Sequence, residues 1–158
     1  SKTLAPGYRV GWIAPGKFKE KIIHQKLIHT VSSTTITQEA LANFLEKGRY
    51  ENYLRKLRKT LYSNSLHYAR AIAEYFPEKT KISNPQGGFM LWVELEEKIN
   101  TVELYEKAIR QNISIAPGRM STLQNQFNNC MRLSYGQLWS EHIEDKLKQL
   151  GRIVKRMS

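Results

Sequence analysis

The feature that most constrains the fold is one amphipathic stretch that runs from Arg49 to Phe76. Its apolar residues recur every three or four positions, which is the spacing of one face of an α-helix. They are Tyr50, Leu54, Leu57, Leu61, Tyr68, Ile72 and Phe76. Such a helix spans about 40 Å at 1.5 Å per residue, which is long enough to connect two lobes. Pro77 ends it, and the alternative is two shorter helices separated at residues 63–65.

After Pro77 the apolar period changes from that of a helix to that of strands. The predicted strands are residues 79–84, 89–95, 113–116 and 130–135. The first two form an antiparallel pair across the turn Pro85-Gln86-Gly87-Gly88. Helices are predicted from Asn100 or Thr101 to Asn112 and from about Ser140 onward. The order α-β-β-α-β-β-α predicts an α/β fold, specifically an α+β small domain in which helices cover one face of a small mixed sheet.

The residues that precede the long helix give a less regular pattern. A strand is predicted at residues 8–14, and helices are predicted at 18–31 and 36–48. Thr35 and Gln38 have the spacing of a capping box at the start of the second helix, and Gly48 suits its end.

The first twelve residues carry the residue types that a Schiff-base site requires. Lys2 lies beside the hydroxyl residues Ser1 and Thr3, and Arg9 follows inside Pro-Gly-x-Arg-x-Gly. A lysine amine can attack an aldehyde, and a guanidinium matches the oxygens of a phosphate. Pyridoxal phosphate (PLP) carries both groups. A lysine at a frayed terminus and an arginine on a turn are the simpler interpretation of the pair taken alone.

Arg132 is the second candidate. Alternation along the strand Met131-Arg132-Leu133 places its side chain on the face opposite the two apolar ones. An arginine among apolar neighbours requires an anionic partner, because an unpaired buried charge is costly. That partner is either a carboxylate of the chain or a bound acid.

The net charge of +11 is uneven along the chain. Residues 1–70 hold thirteen Lys and Arg against four acids, whereas the remaining residues hold twelve against ten. A basic segment can attract nucleic acid, so a nucleic-acid-binding or interaction module without PLP chemistry is the alternative function. We favour a solvated helix face, because the charges are interleaved with the apolar stripe.

The remaining composition excludes several classes of site. The single cysteine, Cys130, cannot form an internal disulfide and fits a reducing compartment, so a cytoplasmic location is expected. The four histidines lack the spacing of metal ligands, and no metal site is predicted. No run approaches the roughly 18 apolar residues of a membrane span.

Several separate segments resemble the fold-type I, PLP-dependent aminotransferases of class I/II. The family's cofactor-lysine segment is similar to Ser-Lys-Thr-Leu-Ala-Pro-Gly-Tyr-Arg-Val-Gly-Trp at the start of this chain. The strand that enters the family's small domain is similar to Gly87-Gly88-Phe89-Met90-Leu91-Trp92. A C-terminal arginine segment of the family is similar to Arg132-Leu133-Ser134. Ala116-Pro117-Gly118 and the helix at residues 38–45 also match. The resemblance is strongest to the aminotransferase-like domain of MocR-type (GntR-family) transcriptional regulators.

The resemblance implies a role for each candidate residue. Lys2 would hold PLP covalently and shuttle a proton, Arg9 would bind the cofactor phosphate with help from Ser1, and Arg132 would grip the α-carboxylate of an amino acid or 2-oxo acid. It also implies a homodimer, and contact with DNA only through a domain upstream of this chain. By the same resemblance, residues 1–48 are the end of a large domain, 49–76 a connecting helix and 77–158 a small α/β domain.

One departure from the family concerns the cofactor ring. The family uses an aspartate to keep the pyridine nitrogen protonated, but the one aspartate here, Asp145, lies on the predicted C-terminal helix. We therefore expect that the chain begins in the middle of a protein and that it neither binds PLP tightly nor transaminates alone. Absorbance near 420 nm from stoichiometric cofactor would refute this expectation.

Overall fold

The computed structural model describes residue 4, residues 6–30 and residues 32–158. Contacts divide the chain into two compact units, one that ends at Lys56 and one that runs from Leu57 to Ser158. The division falls inside a long helix. The three-part division at residues 48 and 76 stays a prediction.

The first unit contains two short helices, α1 (Lys19–His29) and α2 (Thr35–Glu46). The predicted strand at residues 8–14 is wrong: Pro6–Tyr8 form a 3-10 turn and the residues after it have no strand pairing. A strand exists only when another strand binds its backbone, and none of the described residues of this unit does so. Trp12 is correspondingly 90% exposed.

The predicted capping box at the start of α2 is also wrong. The helix is capped one residue earlier, at Thr34, whose side chain makes no capping hydrogen bond. Gln38 then lies four residues after the cap instead of three, and its amide donates to the Thr34 carbonyl at 3.2 Å. Gly48 follows the helix with φ at 63°, the left-handed conformation that suits a glycine after a helix end.

The long helix is continuous. α3 runs from Arg49 to Tyr75 without a break at residues 63–65, so the prediction of one helix is confirmed and the alternative of two is wrong. The buried positions within it are Asn64, Tyr68, Ala71 and Ile72. Pro77 follows two residues after the last helical residue, as expected.

Four short strands form one sheet in the second unit. They are β1 (Lys81–Ile82), β2 (Met90–Glu94), β3 (Ala116–Pro117) and β4 (Cys130–Ser134), in the spatial order β1-β2-β4-β3. The predicted α/β fold is confirmed, but all three pairings are antiparallel, so the sheet is not mixed.

The third strand also begins later than predicted, because of the turn that ends α4 (Thr101–Ile109). The Ile113 N–H donates to the Ala108 carbonyl at 3.0 Å and so belongs to the turn that closes the helix. Strand pairing therefore begins only at Ala116, three residues later than predicted. Ala116 and Pro117 run in the same direction as β2, but β4 lies between them and β2, so each neighbouring pair of strands is antiparallel.

Helices cover one face of this sheet and build the core. Leu91 and Val93 of β2 and Met131 and Leu133 of β4 pack with apolar residues of α3, α4 and the C-terminal helix α5 (Glu141–Met157). Asn100, one of the two predicted caps, caps α4, and Ser140, near which α5 was predicted to begin, caps α5: each side chain accepts a hydrogen bond from a backbone N–H of the first turn. The other face of the sheet carries the alternate residues of the strands.

Candidate functional site

Arg132 lies at the centre of the sheet face that the helices leave open. It is exposed, whereas Met131 and Leu133 on either side are 0% and 5% exposed. This is the orientation that the alternation of the strand predicts. β4 is an inner strand, so its backbone is fixed by pairing on both sides and holds Arg132 at a defined position.

The neighbours of Arg132 across the sheet are a large side chain and a small one. Trp92 of β2 lies directly opposite on one side, and Ala116 of β3 lies opposite on the other. The Trp92 indole contacts the Phe127 ring edge to face, with the ring centroids 5.4 Å apart. Arg132 thus lies between an aromatic residue on one neighbouring strand and a small residue on the other.

No carboxylate among the described residues pairs with Arg132. The ion pair of this face lies further along β2, where the Lys81 amine is 3.1 Å from the Glu94 carboxylate. The pKa of the Cys130 thiol, beside Arg132 in β4, is raised by burial and secondarily by the negative charge of Glu94. The face therefore offers one guanidinium that is available to an external anion.

Two contacts that the sequence analysis missed fix the ends of β4. Gly118 allows its loop to pack on the start of the strand, because a Cβ there would lie 2.6 Å from the Phe127 carbonyl oxygen and 2.8 Å from that of Cys130. At the other end, the buried Asn64 amide donates to the carbonyls of Tyr135 and Gln137, at 2.9 and 2.6 Å. Asn64 could have been identified from the sequence as a polar residue inside the apolar stripe of α3.

The other predicted site residues are Ser1, Lys2 and Arg9, all within the first nine residues of the chain. Lys2 and Ser1 lie outside the described residues. Arg9 is exposed, with φ at 49°, and belongs to the unit that ends at Lys56, whereas Arg132 belongs to the other unit. The convergence of Lys2 and Arg132 on one cleft stays a prediction.

Two further features are absent from residue 4, residues 6–30 and residues 32–158. No group of three or more His, Cys, Asp or Glu side chains could hold a metal ion. No helix in these ranges combines the length and the apolar character that crossing a membrane requires.

The sequence profile of the aminotransferase class I and II family matches residues 1–150. The chain is 36% identical over 156 residues to YjiR of Escherichia coli, an uncharacterized HTH-type transcriptional regulator, and 29% identical over 156 residues to aromatic-amino-acid aminotransferase 1 of Thermococcus litoralis. These alignments cover 99% and 98% of this chain, but 33% and 37% of the relatives. The chain thus spans about a third of the length of these relatives.

A solved structure supports the same assignment. The α-aminoadipate aminotransferase LysN of Thermus thermophilus, complexed with N-(5'-phosphopyridoxyl)-L-leucine, matches with a TM-score of 0.91 and 25% identity. The match covers 99% of this chain and 40% of LysN. The profile match, the relatives and the fold agree with the motifs around Lys2, Gly87-Gly88 and Arg132, and the chain belongs to the class I and II aminotransferase family.

Proposed function

We propose that this chain supplies the substrate-carboxylate side of a PLP-dependent protein that acts on amino acids and 2-oxo acids. The whole protein is either an aminotransferase or a MocR-type regulator that senses an amino acid or an amine through the same site. The proposal rests on the position of Arg132, whose guanidinium lies on a rigid inner strand and faces an open surface. Among the described residues, no carboxylate of the chain pairs with it.

The residues of the chain fit the cofactor in part. Arg132 is exposed and suits a bidentate contact with a carboxylate, because two parallel N–H donors match its two oxygens. Arg9 is exposed on a turn and suits a phosphate. Asp145 does not fit the pyridine nitrogen: it lies on α5 and accepts a hydrogen bond from the Gln149 amide at 2.6 Å. Another residue must therefore bind the pyridine nitrogen of the cofactor.

The proposed division of roles follows the family resemblance. PLP, when bound, supplies the electron sink that weakens the bond to the α-hydrogen of an amino acid. Lys2 would hold the cofactor covalently and move a proton at its Nζ, and Arg9 and Ser1 would bind the phosphate. Arg132 would hold the α-carboxylate and so fix the angle at which the α-carbon meets the lysine.

The first experiment tests Arg132 in the full-length, PLP-loaded protein. The absorbance of the cofactor is titrated with L-leucine, L-phenylalanine and L-2-aminoadipate, and R132Q should weaken binding by about 100-fold, because charge-assisted hydrogen bonds are lost. R152Q is the matched control, since Arg152 is exposed on α5 and its loss removes the same charge. An unchanged titration for R132Q would contradict the proposal.

A second pair of measurements separates the remaining possibilities. Release of the 2-oxo acid on incubation with the amino acid indicates an enzyme, whereas binding without turnover indicates an effector domain. Salt-dependent DNA binding by this chain alone would favour the alternative of a basic nucleic-acid-binding module. A homodimer and a cytoplasmic location are part of the same proposal.

A further inference from the structure

Glu94 is the acidic residue best placed to interfere with Arg132. It lies on the same face of the sheet, opposite Cys130, and is therefore diagonal to Arg132 across the β2–β4 pair. Diagonal neighbours lie about 7–8 Å apart, with their Cβ atoms somewhat closer, and an arginine and a glutamate together can span that distance. A carboxylate that reached Arg132 would occupy the donors that a ligand needs.

Lys81 holds the Glu94 carboxylate on the side away from Arg132. Lys81 pairs directly with Glu94 in the β1–β2 register, and its Nζ lies 3.1 Å from Oε1 of Glu94. Because β1 and β4 flank β2 on opposite sides, this contact draws the carboxylate away from β4. It is the one ion pair between described residues.

We propose that Lys81 is a positioning residue that keeps Glu94 on the β1 side of the sheet and thereby leaves the Arg132 guanidinium available to the carboxylate of a ligand. The inference rests on the proposed function of Arg132. Without Lys81, Glu94 would turn toward Arg132, compete for its donors and repel an incoming carboxylate. The pKa of Cys130 supports this picture, because the charge of Glu94 already acts on β4.

The test uses the full-length, PLP-loaded protein and the same absorbance titrations with L-leucine, L-phenylalanine and L-2-aminoadipate. K81Q should weaken binding by about threefold to fivefold, since the pair is exposed and its effect is modest. The double variant K81Q/E94Q should restore wild-type binding, because the competing carboxylate is gone. A K81Q variant that binds like the wild type, or a loss that E94Q does not restore, would overturn the inference.

K79Q is the matched control for net charge. Lys79 is exposed, lies two residues before Lys81 and forms no ion pair with any described residue. Its loss should leave binding unchanged, and a K79Q effect equal to that of K81Q would reduce the result to a long-range effect of charge and overturn the inference. The thermal midpoints of all variants should agree, which shows that any loss of binding is not a loss of folding.

The R132Q background distinguishes the two proposals. If R132Q abolishes binding and K81Q behaves like K79Q, the proposed function stands and the role of Lys81 falls. If R132Q leaves the titration unchanged, the proposed function itself fails. When both hold, adding K81Q to R132Q produces no further loss.

Discussion

The two units of the chain differ in how they use their apolar residues. The core of the second unit includes Leu150 and Val154 of α5, each 0% exposed, whereas α1 and α2 in the first unit contain no buried residue. Ile23 of α1 is 54% exposed although it belongs to an apolar stripe like that of α5. An amphipathic pattern therefore specifies a helix in both units, but burial requires a partner surface, and the described residues supply one only in the second.

The substitution with the largest expected effect tests this difference in burial between α5 and α1 directly. L150A should lower the free energy of unfolding by about 2–5 kcal/mol, because it removes buried apolar atoms and leaves a cavity. I23A in α1 should change it by less than about 0.5 kcal/mol, as at other surface positions. Urea unfolding of the 158-residue chain, followed by circular dichroism, measures both. Equal losses would show that α1 is buried in solution.

A smaller effect is expected where α5 packs on the end of α3. A Cβ on Gly151 would lie 2.5 Å from the Tyr75 carbonyl oxygen and 3.2 Å from the Phe76 ring. G151A should therefore cost about 1–3 kcal/mol through overpacking, although alanine normally stabilises a helix relative to glycine.

G87A is the matched control for this substitution, since nothing lies within 4 Å of a Cβ there. It should change the free energy of unfolding little. A stabilised G151A variant would mean that the two helices pack less closely than the contact distances imply.

The smallest effect concerns alkaline pH. Burial raises the pKa of Tyr135, whose side chain is 2% exposed and lies near the Tyr68 ring. The folded state then keeps the phenol proton to a higher pH than the unfolded state does. The contribution of the Tyr135 phenol to folding stability is present in full below pH ~10, the ordinary pKa of tyrosine. It is lost as the pH rises through the raised pKa of the folded state.

Y135F should reduce this alkaline loss, because phenylalanine has no proton to give up. Unfolding midpoints between pH 8 and 11 measure it, and Y62F, which alters an exposed tyrosine of α3, is the control. Identical pH profiles for Y135F and the wild type would contradict the assignment.

Most of the second unit could be predicted from local sequence signals. Periodicity predicted the stripe of α3 and the strands β2 and β4. Local signals also predicted the stop at Pro77, a cap at Asn100 or Thr101 and the start of α5 near Ser140. The strand at residues 8–14 could not be excluded in this way, because pairing depends on a partner that local sequence does not reveal. The prediction of a mixed sheet was wrong for a similar reason: β2 and β3 run in the same direction, but β4 lies between them, and local sequence does not reveal that order.

The candidate site shows the same division between local and long-range information. The alternation around Arg132 gave its direction correctly. The pairing of Lys81 with Glu94 and the hydrogen bonds from Asn64 to the end of β4 depend on register and on contacts 71 and 73 residues apart, which no local pattern encodes. The sequence therefore predicted the direction of the Arg132 side chain but not its surroundings.

A crystal structure of the full-length protein with N-(5'-phosphopyridoxyl)-L-leucine, the compound bound in the LysN structure, tests the proposed role of Arg132 most directly. We expect both oxygens of the leucine carboxylate to lie about 2.7–2.9 Å from two guanidinium nitrogens of Arg132. A carboxylate held by another cation, with Arg132 turned away from the ligand, would contradict it.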